Sequence, residues 1–561
     1  MTSPSTPATT YLRGSRGERT TFVSIERAVT GAAALNLLTV IAVALRIWAY
    51  AGGVSLWLDE LLVSRNILGL PLRDLLTKPL QLDQVAPRGF LLMEKLGVLT
   101  FGKNEYALRL FPFLCALASV WLFRRLAERT LDGLAVPFVL ALFAIGVPII
   151  QFGVEVKQYS VDATVAILLL LVALRARDPN ATTRRLVLTG LLGWVVIWFS
   201  QASVVVMGGI GVAFAVRWLM TRDRPTGRAL IITMPLWAAA SIVAIVAGLR
   251  SMTPATREFM DDFWRGGFVP LPFTLGGALR WFWGQSLSVF TDVTLLRYRW
   301  PVLFLGVAVV GVVGLWRWRR DVAFVLLGPF AVALVAAAAQ QYPFRGRLMF
   351  YLVPGLLIAV AAGAELIRRT VNRVHPSLGL AAMGALLVPP TMAFAHELPP
   401  YEIENNRSLY SYLQRHRQPG DVIHVFPLSR PGALFYGPRY GLQPSDWTTA
   451  ACDRNNTRTY VRDVDRYRGK ARVWIVSGGN PAYRTARAAV RGYLTTIGTK
   501  RDSLILKSLT YGTVSLELYD LSDSTRLRAA DAESFPVQPM PTNPRPGCRP
   551  WVGPSASDSL R

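Results

Sequence analysis

The chain has 561 residues, of which 52% are hydrophobic and 17% are charged. Soluble domains carry about 25% charged residues, so this composition disfavours a soluble globule and indicates a membrane protein with many spanning helices. The 16 Trp, 18 Tyr and 26 Phe exclude a disordered chain, and the 3 Cys exclude a disulfide-built scaffold. The net charge of +26 comes in short bursts between apolar runs, which is not the pattern of a nucleic-acid-binding face.

Eleven apolar runs are long enough to predict membrane spans, each of which needs about 20 apolar residues in a helix. They lie near residues 28–50, 106–123, 134–152, 160–176, 186–201, 203–219, 229–249, 300–316, 321–339, 348–367 and 377–395. The polar, basic segment 1–27 precedes a run that lacks a small-residue cleavage site. Run 28–50 is therefore predicted to be a retained helix and not a signal peptide.

Arginines occupy alternate loops between these runs. Short cytoplasmic loops carry an excess of Lys and Arg, so the Arg-rich loops, together with segment 1–27, are predicted to be cytoplasmic. An odd number of spans then places the chain after residue 395 outside the cytoplasm, with the long loops 51–105 and 250–299. We expect a multi-pass protein of the cell (inner) membrane with a cytoplasmic N-terminus.

The chain changes character after the membrane domain, which is predicted at 28–395. Residues 396–530 combine β-rich runs with a helical stretch, which predicts a small extracytoplasmic α/β domain. The Pro- and Ser-rich tail, 531–561, is predicted to be disordered. Cys452 and Cys548 both fall in this outer region, where an oxidising compartment favours a disulfide; two unpaired thiols are the alternative.

Three groups of ionisable residues lie at the predicted outer boundary, where such groups are costly and tend to be functional. The first is the pair Asp59 and Glu60, after the first span. The second, EVKQYSVD, occupies residues 155–162, and the third, YPFRGR, occupies residues 342–347. All three turns share one side in the predicted topology, so we expect them to converge on one pocket.

These groups, with APRGFLLMEKL at 86–96 and ALRLFP at 107–112, give the chain a family resemblance. It resembles the GT-C class of polyprenyl-phosphate-sugar-dependent glycosyltransferases, which includes protein O-mannosyltransferases and the lipid A aminoarabinose transferase. The resemblance covers roughly residues 30–370. Many members carry His-Pro-Pro in the first outer loop, where this chain reads Ala86-Pro87-Arg88. The chain is therefore similar to the class as a distinct subgroup, whose sugar and acceptor do not follow from better-known branches.

The resemblance implies that an acidic residue of the first outer loop is the catalytic base. The matching position is Asp59, with Glu60 as a neighbour that tunes it. A sugar on a lipid phosphate already has a good leaving group, so the acceptor hydroxyl needs a base but the donor needs no general acid. A single displacement would invert the anomeric centre. The implied partners are the membrane, a lipid-linked sugar donor and a glycan, lipid or protein acceptor, with no nucleic acid.

Cations are expected where negative charge develops on the departing phosphate. The candidates are Lys157, Arg88, Arg345 and Arg347, with Glu155, Tyr159 and Asp162 in supporting positions. Structural alternatives exist for these residues. Asp59 is alternatively an acid in the first turn of a helix, stabilised by the helix dipole. Glu155 and Asp162 are alternatively ion-pair partners of Lys157.

Tyr159 is alternatively an interfacial belt residue, and Arg345 and Arg347 are alternatively lipid-headgroup ligands. Asp59 and Glu155 are also candidate ligands for Mg²⁺ or Mn²⁺, because hard cations prefer carboxylates. A transporter or flippase of lipid-linked sugars is the competing function, since buried charge among many helices also serves translocation. The sequence shows no inverted repeat of the kind found in many transporters, which favours the enzyme.

Overall fold

The structure is a computed structural model that describes residues 24, 26–450, 456–479, 483–507 and 513–539. The chain divides into two compact units. Among the described residues, unit 1 holds those up to Gly52 and Pro71–Tyr401, and unit 2 holds Gly53–Leu70 and those from Glu402 onward. The sequence assigned the whole of loop 51–105 to the membrane domain. That assignment is wrong for Gly53–Leu70, which packs with the C-terminal unit.

The chain up to residue 396 is helical. Its helices are α1 Ala32–Ala51, α2 Leu58–Gly69, α3 Leu72–Thr77, α4 Arg88–Phe101, α5 Glu105–Thr130, α6 Ala135–Ile145, α7 Val147–Gln151, α8 Tyr159–Ala176, α9 Thr183–Val196, α10 Ser203–Thr221, α11 Arg224–Arg250, α12 Pro254–Phe263, α13 Leu275–Thr291, α14 Pro301–Trp318, α15 Arg320–Ala338, α16 Val353–Val371, α17 Pro376–Ala385 and α18 Val388–His396. Short 3-10 segments cover Phe152–Val154, Arg265–Gly267 and Gly346–Leu352.

Capping residues and prolines set the helix boundaries. The side chain of Asn104 accepts a hydrogen bond from Ala107 N at the start of α5, and Asp223 accepts one from Thr226 N at the start of α11. Such caps satisfy backbone N–H groups that a helix start leaves free. The apolar run 134–152 is interrupted near Pro148, where the path of the chain bends by 61° between Ala135–Ile145 and Val147–Val154. Proline has no N–H to continue the helical hydrogen bonding.

Nine helical segments of the described chain are long and apolar enough to cross a membrane, and the bent pair makes ten if it counts as one span. These ten coincide with ten of the eleven predicted runs, so the protein is a polytopic helical membrane protein. The remaining run, 186–201, contains α9, which has only 14 residues. At 1.5 Å per residue this helix is about 21 Å long, shorter than the hydrocarbon core of about 30 Å.

Neighbouring helices show that the bent pair crosses the membrane. Helices α5 and α8 run parallel, because Ser160 Oγ donates to Pro112 O at 3.1 Å and Arg129 Nη2 donates to Leu174 O at 3.3 Å. Two consecutive spans in the same direction require a return crossing between them. The bent pair is the segment that connects them, so it makes this crossing.

The composition of unit 2 predicts a role for α9. Gly53–Leu70 and the residues from Glu402 onward pack together, which requires an even number of crossings between them. Of the nine helical segments, α1 precedes Gly53; the other eight plus the bent pair give nine crossings. We therefore predict that α9, extended by the turn that follows it, makes one more crossing.

Small residues allow close packing of the spans. A Cβ atom on Gly311 of α14 would lie 1.8 Å from Ala359 O of α16, and one on Gly328 of α15 would lie 2.1 Å from Gly209 O of α10. Any larger residue at Gly311 or Gly328 would push two helices apart. Van der Waals contact between close backbones is a main source of helix association in membranes.

Unit 2 contains a five-stranded sheet with strand order β2-β1-β3-β5-β4. Strands β1 and β2, and β1 and β3, are parallel, whereas β5 is antiparallel to β3 and β4. The strands are β1 Val422–Val425, β2 Thr448–Thr449, β3 Val473–Ser477, β4 Thr499–Lys507 and β5 Thr513–Asp520. The helices of this part are α19 Asn406–His416, α20 Arg430–Tyr436, α21 Thr457–Asp465, α22 Arg484–Ile497 and α23 Ser524–Leu527. The expected small α/β domain is thus present.

The first part of the predicted disordered tail is ordered. Phe535 and Val537 pack against the core that α21 and α22 form on the sheet, and Thr457 Oγ1 donates to Gln538 O at 2.8 Å. The prediction of disorder is therefore wrong for residues 531–539. Cys452 and Cys548 lie outside the described residues, so their pairing stays a prediction.

Candidate functional site

Asp59 and Glu60 lie in the first turn of α2, within unit 2. The carboxylate of Glu60 accepts a hydrogen bond from Trp57 N at 3.2 Å, and the Glu60 side chain is fully buried. Asp59 is half-buried. An acid in the first helical turn is stabilised by the helix dipole, so this position alone fits both the catalytic role and the structural alternative for Asp59.

The residues just before α2 are held by the segment that follows the last membrane span. Leu56 N donates to the hydroxyl of Tyr436 at 2.7 Å, and Asn406 Nδ2 donates to Leu56 O at 3.0 Å. Arg407 N donates to Ser55 Oγ at 3.1 Å. These bonds satisfy the backbone of an otherwise irregular segment and fix the point at which α2 begins.

A third carboxylate, Glu404, completes an acidic group at the start of α2. Its Oε2 accepts a hydrogen bond from Leu58 N at 3.0 Å. The pKa of Glu404 is raised to about 7; burial is the largest cause, Asp59 and Glu60 act in the same direction, and the hydrogen bonds from Leu58 N and Asn406 oppose them. Burial disfavours the charged form of a carboxyl group, and nearby carboxylates repel its negative charge, so both raise its pKa. No motif in the sequence distinguishes Glu404 from the other glutamates near it.

Lys157 and Glu155 lie in unit 1, in the turn that precedes α8. Lys157 Nζ donates to Gln84 Oε1 at 3.1 Å, and Glu155 Oε1 accepts from Gln151 Nε2 at 2.7 Å. Lys157 is 7% exposed. Ser200 donates a hydrogen bond to Asp162 one turn further along. The buried ammonium of Lys157 thus contacts the loop that carries Gln84, which sequence spacing did not indicate.

The loop that carries Gln84 also positions Arg88. Arg88 Nη2 donates to Ser251 Oγ at 2.8 Å, and Asp83 Oδ1 accepts from Thr256 Oγ1 at 3.1 Å. Asp83 has a positive φ of 53°. These contacts fasten loop 81–88 to the start of the second long loop of unit 1.

The third motif approaches the turn of Lys157 from the other side. The Arg347 guanidinium lies 5.5 Å from the ring centroid of Tyr159 and 5.9 Å from that of Trp264, both within cation–π range. Tyr159 is 5% exposed, so it is not a lipid-facing belt residue. Phe344 N donates to Gly267 O at 2.7 Å, and Arg345 is exposed.

These contacts form a closed ring in unit 1. The turn 155–159 contacts loop 81–88, and this loop contacts 251–256. Helix α12 joins 251–256 to segment 264–267, which contacts 342–347, and Arg347 contacts Tyr159. The structure therefore brings the second and third motifs together and adds Arg88 to them. Asp59 and Glu60 belong to unit 2. Within the residues that the structure describes, no group of three or more His, Cys, Asp or Glu side chains is arranged to hold a metal ion.

No family model matches the chain, and no curated protein sequence matches it. Among solved structures it is similar to the Archaeoglobus fulgidus oligosaccharyltransferase in complex with Zn and sulfate, with a TM-score of 0.47, 12% identity and coverage of 86% of this chain and 72% of that chain. It is also similar to ArnT from Cupriavidus metallidurans bound to undecaprenyl phosphate (TM-score 0.41, 13% identity, coverage 90% and 98%) and to apo ArnT (0.37, 14%, 89% and 98%). At these identities and TM-scores the similarities assign no activity to this chain.

Three residues of the site were not predicted from the sequence. Gln84 lies two residues before the stretch 86–96, and Trp264 lies in a loop without a motif. Glu404 follows the last span closely, at a boundary where ionisable residues are informative. Of these three residues, only Glu404 could have been suggested by the sequence, through its position close to the end of a membrane span.

Proposed function

We propose that the chain is a membrane glycosyltransferase that moves a sugar from a polyprenyl-phosphate donor to an acceptor hydroxyl on the outer side of the membrane. The observation that carries the proposal is the placement of Lys157 and Arg347 on the contact ring of unit 1. Lys157 precedes α8 by two residues, and Arg347 is the second residue of the span Gly346–Val371. Both cations therefore stand at span ends, the depth at which the phosphate of a membrane-embedded lipid lies.

The chemistry of the ring suits a lipid phosphate. Lys157 is 7% exposed, and a buried ammonium attracts an anion strongly because little water screens its charge. Arginine adds a planar fork that matches phosphate oxygens, and the rings of Tyr159 and Trp264 hold the Arg347 guanidinium. Arg88 and Arg345 supply further positive charge. The same cations would stabilise the polyprenyl phosphate as it departs.

The proposed reaction is a single displacement with inversion. The Asp59 carboxylate takes the proton of the acceptor hydroxyl as its oxygen forms a bond to the anomeric carbon. The bond from that carbon to the phosphate oxygen breaks, and its electron pair leaves with the polyprenyl phosphate. Protonated Asp59 then returns its proton to solvent. Glycan, lipid and protein hydroxyls all fit this chemistry, and the positive-inside pattern supports an outer-face reaction.

The experiment is a transfer assay with the full chain in liposomes and a panel of polyprenyl-phosphate sugars. Asp59→Asn keeps the side-chain shape and removes the proton acceptor, so transfer should fall at least about a hundredfold while folding persists. Asp74→Asn is the matched control, because Asp74 is an acid whose recorded partner is Lys78 in an i,i+4 pair. Near-normal turnover by Asp59→Asn contradicts the role of Asp59. Movement of the lipid-linked sugar between leaflets without transfer would support the flippase instead.

A further inference from the structure

We propose that Glu404, a residue that follows the last membrane span, is a positioning residue for Asp59. The inference rests on the proposed function, because it assigns a helper to the proposed base. All the contacts that support it lie within unit 2.

The first support is the way α2 begins. Leu58 is the first residue of the helix, and its N–H is one of the four that a helix start leaves without an intrahelical partner. Glu404 accepts this N–H at 3.0 Å, from a position 346 residues further along the chain. Asp59 is the next residue. A carboxylate that fixes Leu58 thereby fixes the backbone from which the Asp59 side chain projects.

The second support is the division of donors among the three acids. Glu60 takes Trp57 N, and Glu404 takes Leu58 N. Two consecutive backbone N–H groups directly before Asp59 are thus bound by acidic side chains, which fixes the start of the helix that carries Asp59.

Glu404 is itself held firmly. It receives a hydrogen bond from Asn406, which also donates to Leu56 O at 3.0 Å. Tyr436 accepts from Leu56 N at 2.7 Å. The segment before α2 and the segment after the last span are therefore joined by several bonds, and a group on such a frame is placed with the precision that a catalytic site needs.

The charged and titratable groups that face Glu404 come from three helices. They are Asp59 and Glu60 of α2, Tyr410 of α19 and Arg487 of α22. Burial raises the pKa of Glu404 to about 7, so its charge changes near neutral pH. When Glu404 ionises, its negative charge raises the proton affinity of Asp59 and makes Asp59 a stronger base. Transfer should therefore accelerate as the pH rises through about 7.

The test compares Glu404→Gln with the wild type in a pH profile of kcat. Glutamine keeps an oxygen that accepts Leu58 N, but it cannot ionise. The variant should match the wild type near pH 6, turn over about tenfold more slowly near pH 8, and keep its donor KM. Glu402→Gln is the matched control, because exposed Glu402, two residues earlier, accepts from Asn405 Nδ2 at 2.7 Å and Ser55 Oγ at 3.4 Å. The control should show the wild-type profile.

A second measurement needs no activity. Glu404→Ala should accelerate hydrogen exchange of the first-turn amides of α2 at least about tenfold, and Glu402→Ala should leave them unchanged. Wild-type pH profiles together with unchanged exchange would overturn the role of Glu404. Should Asp59→Asn be inactive while Glu404→Gln keeps the wild-type pH profile and Glu404→Ala leaves exchange unchanged, only the role of Glu404 fails. Should Asp59→Asn stay active, the proposed base fails, and exchange still decides whether Glu404 holds the helix.

Discussion

Replacing Glu404 by Gln is expected to stabilise unit 2 at alkaline pH and to leave its stability unchanged at acidic pH. In the folded protein the pKa of Glu404 is raised from 4.5 to about 7 by burial and by the neighbouring acids. A carboxyl with a raised folded pKa contributes stability that is complete below about 4.5 and is lost as the pH rises through about 7. Glutamine stays neutral at every pH and avoids this loss.

The magnitude follows from the pKa difference. A shift from 4.5 to about 7 corresponds to roughly 3 kcal/mol, at about 1.4 kcal/mol for each pH unit. The raised pKa already includes the hydrogen bonds from Leu58 N and Asn406, which favour the charged form. We therefore expect Glu404→Gln to gain up to about 3 kcal/mol at pH 8.5 and to gain nothing near pH 4.5.

The assay is hydrogen exchange of unit 2 amides in the full chain, reconstituted in lipid nanodiscs at both pH values. After correction for the pH dependence of intrinsic exchange, the most protected amides of β1 and β3 report the free energy of opening. Glu402→Gln serves as the control and should change neither value. A Glu404→Gln variant that is less stable than the wild type at both pH values would refute the reasoning, because it would show that Glu404 acts only through a lost hydrogen bond.

Two further predictions concern unit 1 and the topology. Lys157→Ala should weaken the binding of polyprenyl phosphate, measured with the lipid in nanodiscs, by at least about tenfold. Lys78→Ala, which removes an exposed lysine, should leave the affinity unchanged. Equal affinities of the two variants would show that Lys157 does not bind the phosphate. The crossing by α9 can be tested with single cysteines at Asn180 and Gln201 in a chain whose native cysteines are replaced by serine. If α9 spans the membrane, the two cysteines should react with an impermeant thiol reagent from opposite sides. Labelling of both from one side would contradict the crossing.

The membrane fold was largely predictable, because each span consists of one continuous apolar run in the sequence. Its irregular features depend on single residues. The chain bends by 61° near Pro148, within the predicted run 134–152. The hydropathy of this run gave no sign of the bend, because the residues on both sides of it are apolar. The shortness of α9 was equally invisible, since the apolar run 186–201 extends beyond the 14 residues that are helical. Hydropathy measures the preference for lipid, whereas helix ends depend on backbone geometry.

The candidate site was predictable where its residues sit in short motifs beside spans. Lys157 and Arg347 were both proposed as phosphate-binding candidates in this way, since a cation next to a long apolar run is conspicuous. Their partners were not found, because an amide such as Gln84 or an indole such as Trp264 is ordinary in any loop. Only tertiary contacts, the bond to Lys157 and the ring beneath Arg347, give these two residues a role.

Glu404 shows the same limit in its sharpest form. The stretch after the last span contains three glutamates, Glu397, Glu402 and Glu404, and position alone treats them alike. Glu397 pairs with Arg297, and Glu402 is exposed beside Asn405; only Glu404 accepts the first N–H of α2. That distinction arises because Gly53–Leu70 leaves the membrane unit and folds with the C-terminal unit. The first N–H of the helix that carries Asp59 is thus bound by a residue that follows all the membrane spans. The conformation of the proposed base therefore depends on the correct folding of the C-terminal unit.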